Sequence, residues 1–208
     1  MSDNSDEEYS WVSKFCSLKG NEFFCEVDSD YLESNFNFIS LRNYVPYYKI
    51  ALKTIRDEEC EELESLTEEQ EETIESSAEI LYGLIHARYI LTDEGMRKMA
   101  KKYQKGIFGR CTNVFCQKQP CLPVGRSDLP RKDTVKYYCP RCQDIYFPDP
   151  KYANIDGAYF GTTFANLLLQ WNENLKPESP PRKYVPKIFG FRVHNTVSRY
   201  QDFKRSKK

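Results

Sequence analysis

Apolar side chains at Ile74, Ala78, Leu81, Ile85 and Tyr89 recur at 4-3-4-4 spacing, which places them on one stripe of an α-helix. Thr67 followed by Gln70 is a capping box that would open this helix. Thr92 can cap a second helix, with Asp93 and Glu94 in its favoured first turn and Met96, Met99, Ala100 and Tyr103 on its inner face. Gly106 and Gly109 are placed to end it. Upstream, residues 44–56 read as a short helix starting at Pro46, because proline tolerates the first helical position. Helical periodicity stops near residue 106. Residues 134–139 and 144–147 then read as strands, 164–171 as a short helix, 176–181 as a proline-rich linker and 185–193 as extended chain.

The expected fold class is therefore α+β. A mainly helical N-terminal domain (11–105) is followed by a small β subdomain (106–175) and a C-terminal tail (176–208). Residues 1–10 read as a flexible acidic tail.

Charge divides the 208-residue chain in two. Its net charge of −1 hides 21 Asp+Glu against 6 Lys+Arg in residues 1–80, and 10 against 24 in residues 81–208. Residues 57–79 alone hold twelve carboxylates and no Lys or Arg. Such a run repels itself and stays in solvent, where it can attract polycations in a salt-sensitive way. No apolar run approaches about 18 residues, so no membrane-spanning helix is expected. The N-terminus does not read as a secretory signal, and the chain reads as intracellular, where clustered cysteines point to metal or reactivity.

Cys111 and Cys116 are separated by four residues, Cys139 and Cys142 by two, and 22 lie between the pairs. Two close pairs flanking a small β excursion are the pattern of a four-cysteine zinc ribbon. Four thiolates leave no open coordination position, so one structural Zn2+ per chain is expected rather than a catalytic one. Cys16, Cys25, Cys60 and Cys121 lack ligand spacing and read as buried thiols, Cys121 being the nearest to the set. No phosphate-binding glycine loop, H-R-D or D-F-G is present. Of the two histidines, His86 falls in the apolar helix and reads as a packed, hydrogen-bonded residue. Catalysis by this chain is not expected.

Four runs carry a resemblance to a known family: Gly20-Asn-Glu-Phe-Phe-Cys-Glu-Val27, Leu81-Tyr-Gly-Leu-Ile-His-Ala-Arg-Tyr-Ile-Leu-Thr92, Asp156-Gly-Ala-Tyr-Phe-Gly161 and Val185-Pro-Lys-Ile-Phe-Gly-Phe-Arg-Val-His194. In order and spacing around the cysteines, they closely resemble the regulatory (beta) subunit of casein kinase II, from about residue 11 to 194. The resemblance implies a non-catalytic subunit of a Ser/Thr kinase. Cys111, Cys116, Cys139 and Cys142 match the family's zinc ligands, and its ribbon forms a homodimer that holds two catalytic (alpha) subunits, stabilises them and modulates their activity and substrate selection. The C-terminal residues matching the family's docking hairpin are Phe189 and Phe191, with Ile188 beside them and Lys187 and His194 flanking.

Residues two apart in an extended segment face the same way, so Phe189 and Phe191 are expected to enter one pocket. Closure of the chain's own core by these rings is the competing expectation. Asp57, Glu58, Glu59, Glu61, Glu62 and Glu64 match the family's acidic loop, implying polyamine or basic-protein binding. Ser5, followed by three acids, is the expected phosphoacceptor, and Ser2 a weaker one. A cytoplasmic and nuclear location is expected. Two other readings are a divergent paralogue that competes with the main regulatory subunit and a nucleic-acid-binding zinc ribbon. The acidic first half argues against the latter, since it would repel phosphates.

Overall fold

The computed structural model describes residues 9–34, 38–60, 66–181 and 184–194. Its axis is helix α4 (Glu68–Tyr89), opened by the Thr67–Gln70 capping box in both directions. Its inner stripe is buried, with Ala78, Leu81 and Ile85 at 0% exposure. Around it pack α1 (Trp11–Ser17), the single-turn α2 (Ser29–Glu33), a 3-10 turn at Ile39–Asn43, and α3 (Tyr48–Ile55). Trp11 stacks on Phe15 at 5.2 Å, and both rings meet Tyr82 of α4 edge-on. The next helix, α5 (Asp93–Lys105), is capped by Thr92 and ends at Gly106, whose φ of 72° supplies a left-handed cap. Among the described residues, no helix is long and apolar enough to cross a membrane.

One expectation for the helices needs correction. The third helix begins at Tyr48, not at Pro46, because Tyr47 takes φ 48° and interrupts helical geometry directly after the proline. Pro46 thus belongs to the turn that precedes the helix.

Beyond residue 106 a three-stranded antiparallel sheet forms in the order β1 (Leu122–Val124), β2 (Lys136–Cys139), β3 (Asp144–Tyr146). Its register pairs Leu122 with Tyr138 and Cys139 with Asp144. The sequence pattern assigns no strand over β1, which carries Pro123 at its centre. Proline is tolerated there because β1 is an edge strand. Helix α6 (Phe164–Trp171) follows as expected.

One buried cluster runs from Val12 to Leu175 and includes Cys111, Cys116 and Cys139, so helices and ribbon share a core. Polar contacts at two places help to join them. The imidazole of His86 accepts the Cys25 N–H at Nε2 (3.2 Å), and its Nδ1 donates to the Tyr159 carbonyl (2.9 Å). Near the ribbon, Gln119 donates to the Tyr103 hydroxyl (3.0 Å), which donates to the Leu175 carbonyl (3.3 Å).

Candidate metal centre and docking hairpin

Each cysteine pair sits on a tight backbone knuckle. After Cys111 the chain makes a 3-10 turn at Val114–Cys116, led in by Asn113, whose side chain accepts the Phe115 N–H. Gln117 and Lys118 then take positive φ (53° and 56°), and the loop closes through Cys111 N–H to the Gln119 carbonyl at 2.8 Å. The second knuckle leaves the end of β2. Gln143 N–H bonds the Cys139 carbonyl at 2.8 Å, with Gln143 at φ 58°.

These turns bring four sulfurs from residues up to 31 positions apart to within 4.8 Å of one another, and Cys111 Sγ lies 3.8 Å from Cys142 Sγ. A tetrahedron with Zn–S bonds of about 2.3 Å has edges of about 3.8 Å, so the set fits that ion. The donor set is four sulfurs with no carboxylate, as a soft or borderline cation requires.

Burial raises the Cys111 thiol to about 11 and the Cys116 thiol higher still, while a hydrogen bond from Cys121 lowers Cys139 to about 4. Four adjacent thiolates coexist only around a cation that offsets their mutual repulsion. Cys121 stays outside the set as a buried thiol, its sulfur 3.8 Å from the Gln119 carbonyl. Arg141, between the two ligands of the second knuckle, donates to the Cys116 carbonyl at 3.1 Å and ties one knuckle to the other. Composition signals gave no hint of Arg141; only its place between two cysteines did.

The ribbon also displays apolar surface. Val114 and Phe147 are each 81% exposed and Ile145 is 47% exposed. Lys136 holds its ammonium over the Phe147 ring at 5.2 Å.

The C-terminal residues form a two-stranded hairpin, β4 (Lys187–Ile188) with β5 (Phe191–Arg192). Ile188 pairs with Phe191 and Lys187 with Arg192. Phe189 and Gly190 form the two-residue loop, both with positive φ (50° and 86°), the pattern of a type I′ turn. This changes the expected presentation. Phe189 is the tip of a turn, not a strand neighbour of Phe191, and the residue sharing a face with Phe191 is its cross-strand partner Ile188. The rings do not close the chain's own core: exposure is 96% at Phe189, 80% at Phe191 and 61% at Ile188. His194 is also exposed.

The acidic segment is divided by the structure. Asp57 caps α1, its two oxygens each 3.0 Å from the Trp11 N–H. Glu58 pairs with Arg56 at 3.4 Å, and Glu59 is exposed. Glu61, Glu62, Glu64, Ser2 and Ser5 lie outside the described residues. His86 is fully buried, as its sequence position suggested, and Tyr82, Cys16 and Cys25 complete a polar cluster around it.

Comparison with known proteins agrees with this arrangement. The casein kinase II regulatory subunit family matches residues 10–192. Casein kinase II subunit beta-3 of Arabidopsis thaliana is 56% identical over 195 residues, covering 93% of this chain and 71% of that protein. The Dictyostelium discoideum casein kinase II subunit beta is 50% identical over 200 residues, covering 95% and 73%. The Schizosaccharomyces pombe subunit beta is 49% identical over 195 residues, covering 93% and 83%. The chain belongs to the casein kinase II regulatory subunit family, and its role is regulatory rather than catalytic.

Proposed function

We propose that this chain is a zinc-bearing regulatory subunit that dimerises through its ribbon and docks catalytic subunits of casein kinase II through its C-terminal hairpin. The observation that carries the reading is the hairpin itself. A chain does not leave two phenyl rings and an isoleucine this exposed on a tight turn without a partner to cover them, and clustered aromatic anchors are typical binding hot spots.

Zinc held by Cys111, Cys116, Cys139 and Cys142 supplies a fixed cross-link between the two knuckles, worth on the order of 10 kcal/mol to folding. With the knuckles held, Val114, Ile145 and Phe147 form a rigid apolar face suited to a twofold mate. The dimer presents two hairpins, hence two catalytic subunits. The acidic segment that begins at Asp57, Glu58 and Glu59 binds polyamines or basic proteins. Ser5, and less readily Ser2, serve as phosphoacceptors for the bound kinase. We place the complex in the cytoplasm and nucleus.

Titration calorimetry of the zinc-loaded protein into the catalytic subunit tests the reading, with a Phe189→Ala/Phe191→Ala variant alongside. Tight binding of one catalytic subunit per protomer, lost in the variant, supports it. A folded dimer that binds no catalytic subunit overturns it.

A further inference from the structure

Residues 1–80 carry a large excess of acid, yet one surface where this half meets the rest of the chain is basic and apolar together. The Leu41–Val45 segment separates two clefts. The first, of about 290 Å³, has a floor that includes Leu41, Leu84 and Phe160, with Tyr44 and Leu91 at its rim. The second, of about 380 Å³, lies over the start of α3 and is lined by Arg42, Tyr47 and Lys49 among others. Four large apolar side chains stand in solvent here: Ile39 (66%), Tyr44 (41%), Tyr47 (43%) and Leu91 (43%).

The cations are arranged around them. Arg88 of α4 lines the first cleft, held by a hydrogen bond to the Ser40 hydroxyl. Arg56, Arg88 and Arg42 all lie close enough to the Tyr48 phenol to act on it electrostatically. Arg42 and Lys49 make no ion pair among the described residues. Asp128 shares the first cleft and keeps its charge while its two oxygens take hydrogen bonds from Thr162, so the cations open to an acidic peptide are those on the far side of the segment, Arg42 and Lys49. An acidic chain is thus repelled by most of this half and attracted here.

We propose that this corner is an exosite for acidic, unstructured peptide segments. An aliphatic or aromatic side chain of the peptide enters the first cleft, and its flanking carboxylates face Arg42 and Lys49. Identifying the peptide as part of a kinase substrate rests on the regulatory-subunit reading; the site itself does not.

The test is fluorescence anisotropy with the labelled peptide Glu-Asp-Leu-Glu-Asp-Phe-Asp-Glu and the zinc-loaded protein without kinase, at about 50 mM salt. Two control peptides replace either the acids by amides or the Leu and Phe by Ser. Binding is expected for the parent alone, weakened more than about tenfold by Arg42→Glu/Lys49→Glu and severalfold by Tyr44→Ala. Both variants should keep their zinc content, circular dichroism and affinity for the catalytic subunit.

No binding by the parent peptide, or binding indifferent to the variants, overturns the proposal. So does equal binding of the amide peptide, displacement of the probe by single-stranded DNA through this corner more readily than by unlabelled peptide, or a change in oligomeric state in Tyr44→Ala that marks the face as a self-contact. Failure of the wild-type protein to bind the catalytic subunit would sink the regulatory reading while leaving the peptide result to stand on its own.

Discussion

Asp57 accepts the backbone N–H of Trp11 with both carboxylate oxygens, each at 3.0 Å, and so closes the start of α1 onto the root of the acidic segment. A carboxylate at a helix N-terminus satisfies an otherwise orphan donor and complements the helix dipole. Removing it is expected to cost about 1 kcal/mol, seen as a lower urea midpoint in Asp57→Ala. Glu59→Ala, on an exposed side chain, should shift stability by less than about 0.5 kcal/mol. The same pair separates structure from ligand binding: Glu59→Ala should weaken polyamine binding with stability unchanged. Equal stability of the two variants would refute the capping role.

Chelation should undo the ribbon before it undoes the helices. The sulfurs of Cys111 and Cys142 stand 3.8 Å apart, and the sheet has only three short strands. Stripping zinc, or Cys139→Ser, is expected to convert dimer to monomer in sedimentation and to expose ribbon amides to hydrogen exchange. Helix α4 should remain protected. A metal-free protein that stays dimeric would contradict the structural role of the centre.

Acid should weaken the fold through His86. Burial lowers this imidazole from 6.5 to about 4, with Cys25 and Tyr82 against it and Lys102 adding to the shift. The unfolded chain therefore binds the extra proton first, and stability falls as pH drops from about 6.5 towards 4, by about 3 kcal/mol in all. Denaturation between pH 7.5 and about 5.5 samples the upper part of this window. His86→Gln should be less stable at pH 7.5 and lose less over the interval. Parallel losses in both proteins would assign the acid sensitivity elsewhere.

Two glycines should fail for opposite reasons. A Cβ at Gly83 would sit 2.4 Å from the Tyr159 ring, so Gly83→Ala must push the 157–161 turn off α4, at about 2–3 kcal/mol. A Cβ at Gly190 meets nothing within 4 Å, but the residue holds φ 86°. Gly190→Ala should leave global stability unchanged and weaken binding of the catalytic subunit about fivefold, because the hairpin loses preorganisation. Unchanged kinase affinity in Gly190→Ala would mean that the turn is not the bound conformation.

The cysteine spacing, the two capped helices and the chemistry of the ribbon were legible in the chain because each rests on local rules. A pattern of paired cysteines, a capping box and a 4-3-4-4 stripe depend on neighbours within a few turns. The family identity was legible as well, carried by long runs whose residues match in order. Misreadings arose where a residue's meaning came from elsewhere. Residues 122–124 carry too little pattern to read as a strand until β2 pairs with them, and Pro46 looks like a helix start until Tyr47 turns left-handed after it.

Which surfaces are free was decided only by tertiary structure. Sequence left open whether Phe189 and Phe191 lie in the core or in solvent, and composition placed Asp57 with the other loop acids. Burial and long-range hydrogen bonds are properties of the packed chain: Asp57 lies 46 residues from the amide it caps. The sequence by itself determined the two long capped helices, the candidate metal donors and the family. Packing alone decided which aromatic rings face solvent, which carboxylate is structural, and where cations from three separate segments stand, because those outcomes depend on distances in space that spacing along the chain does not encode.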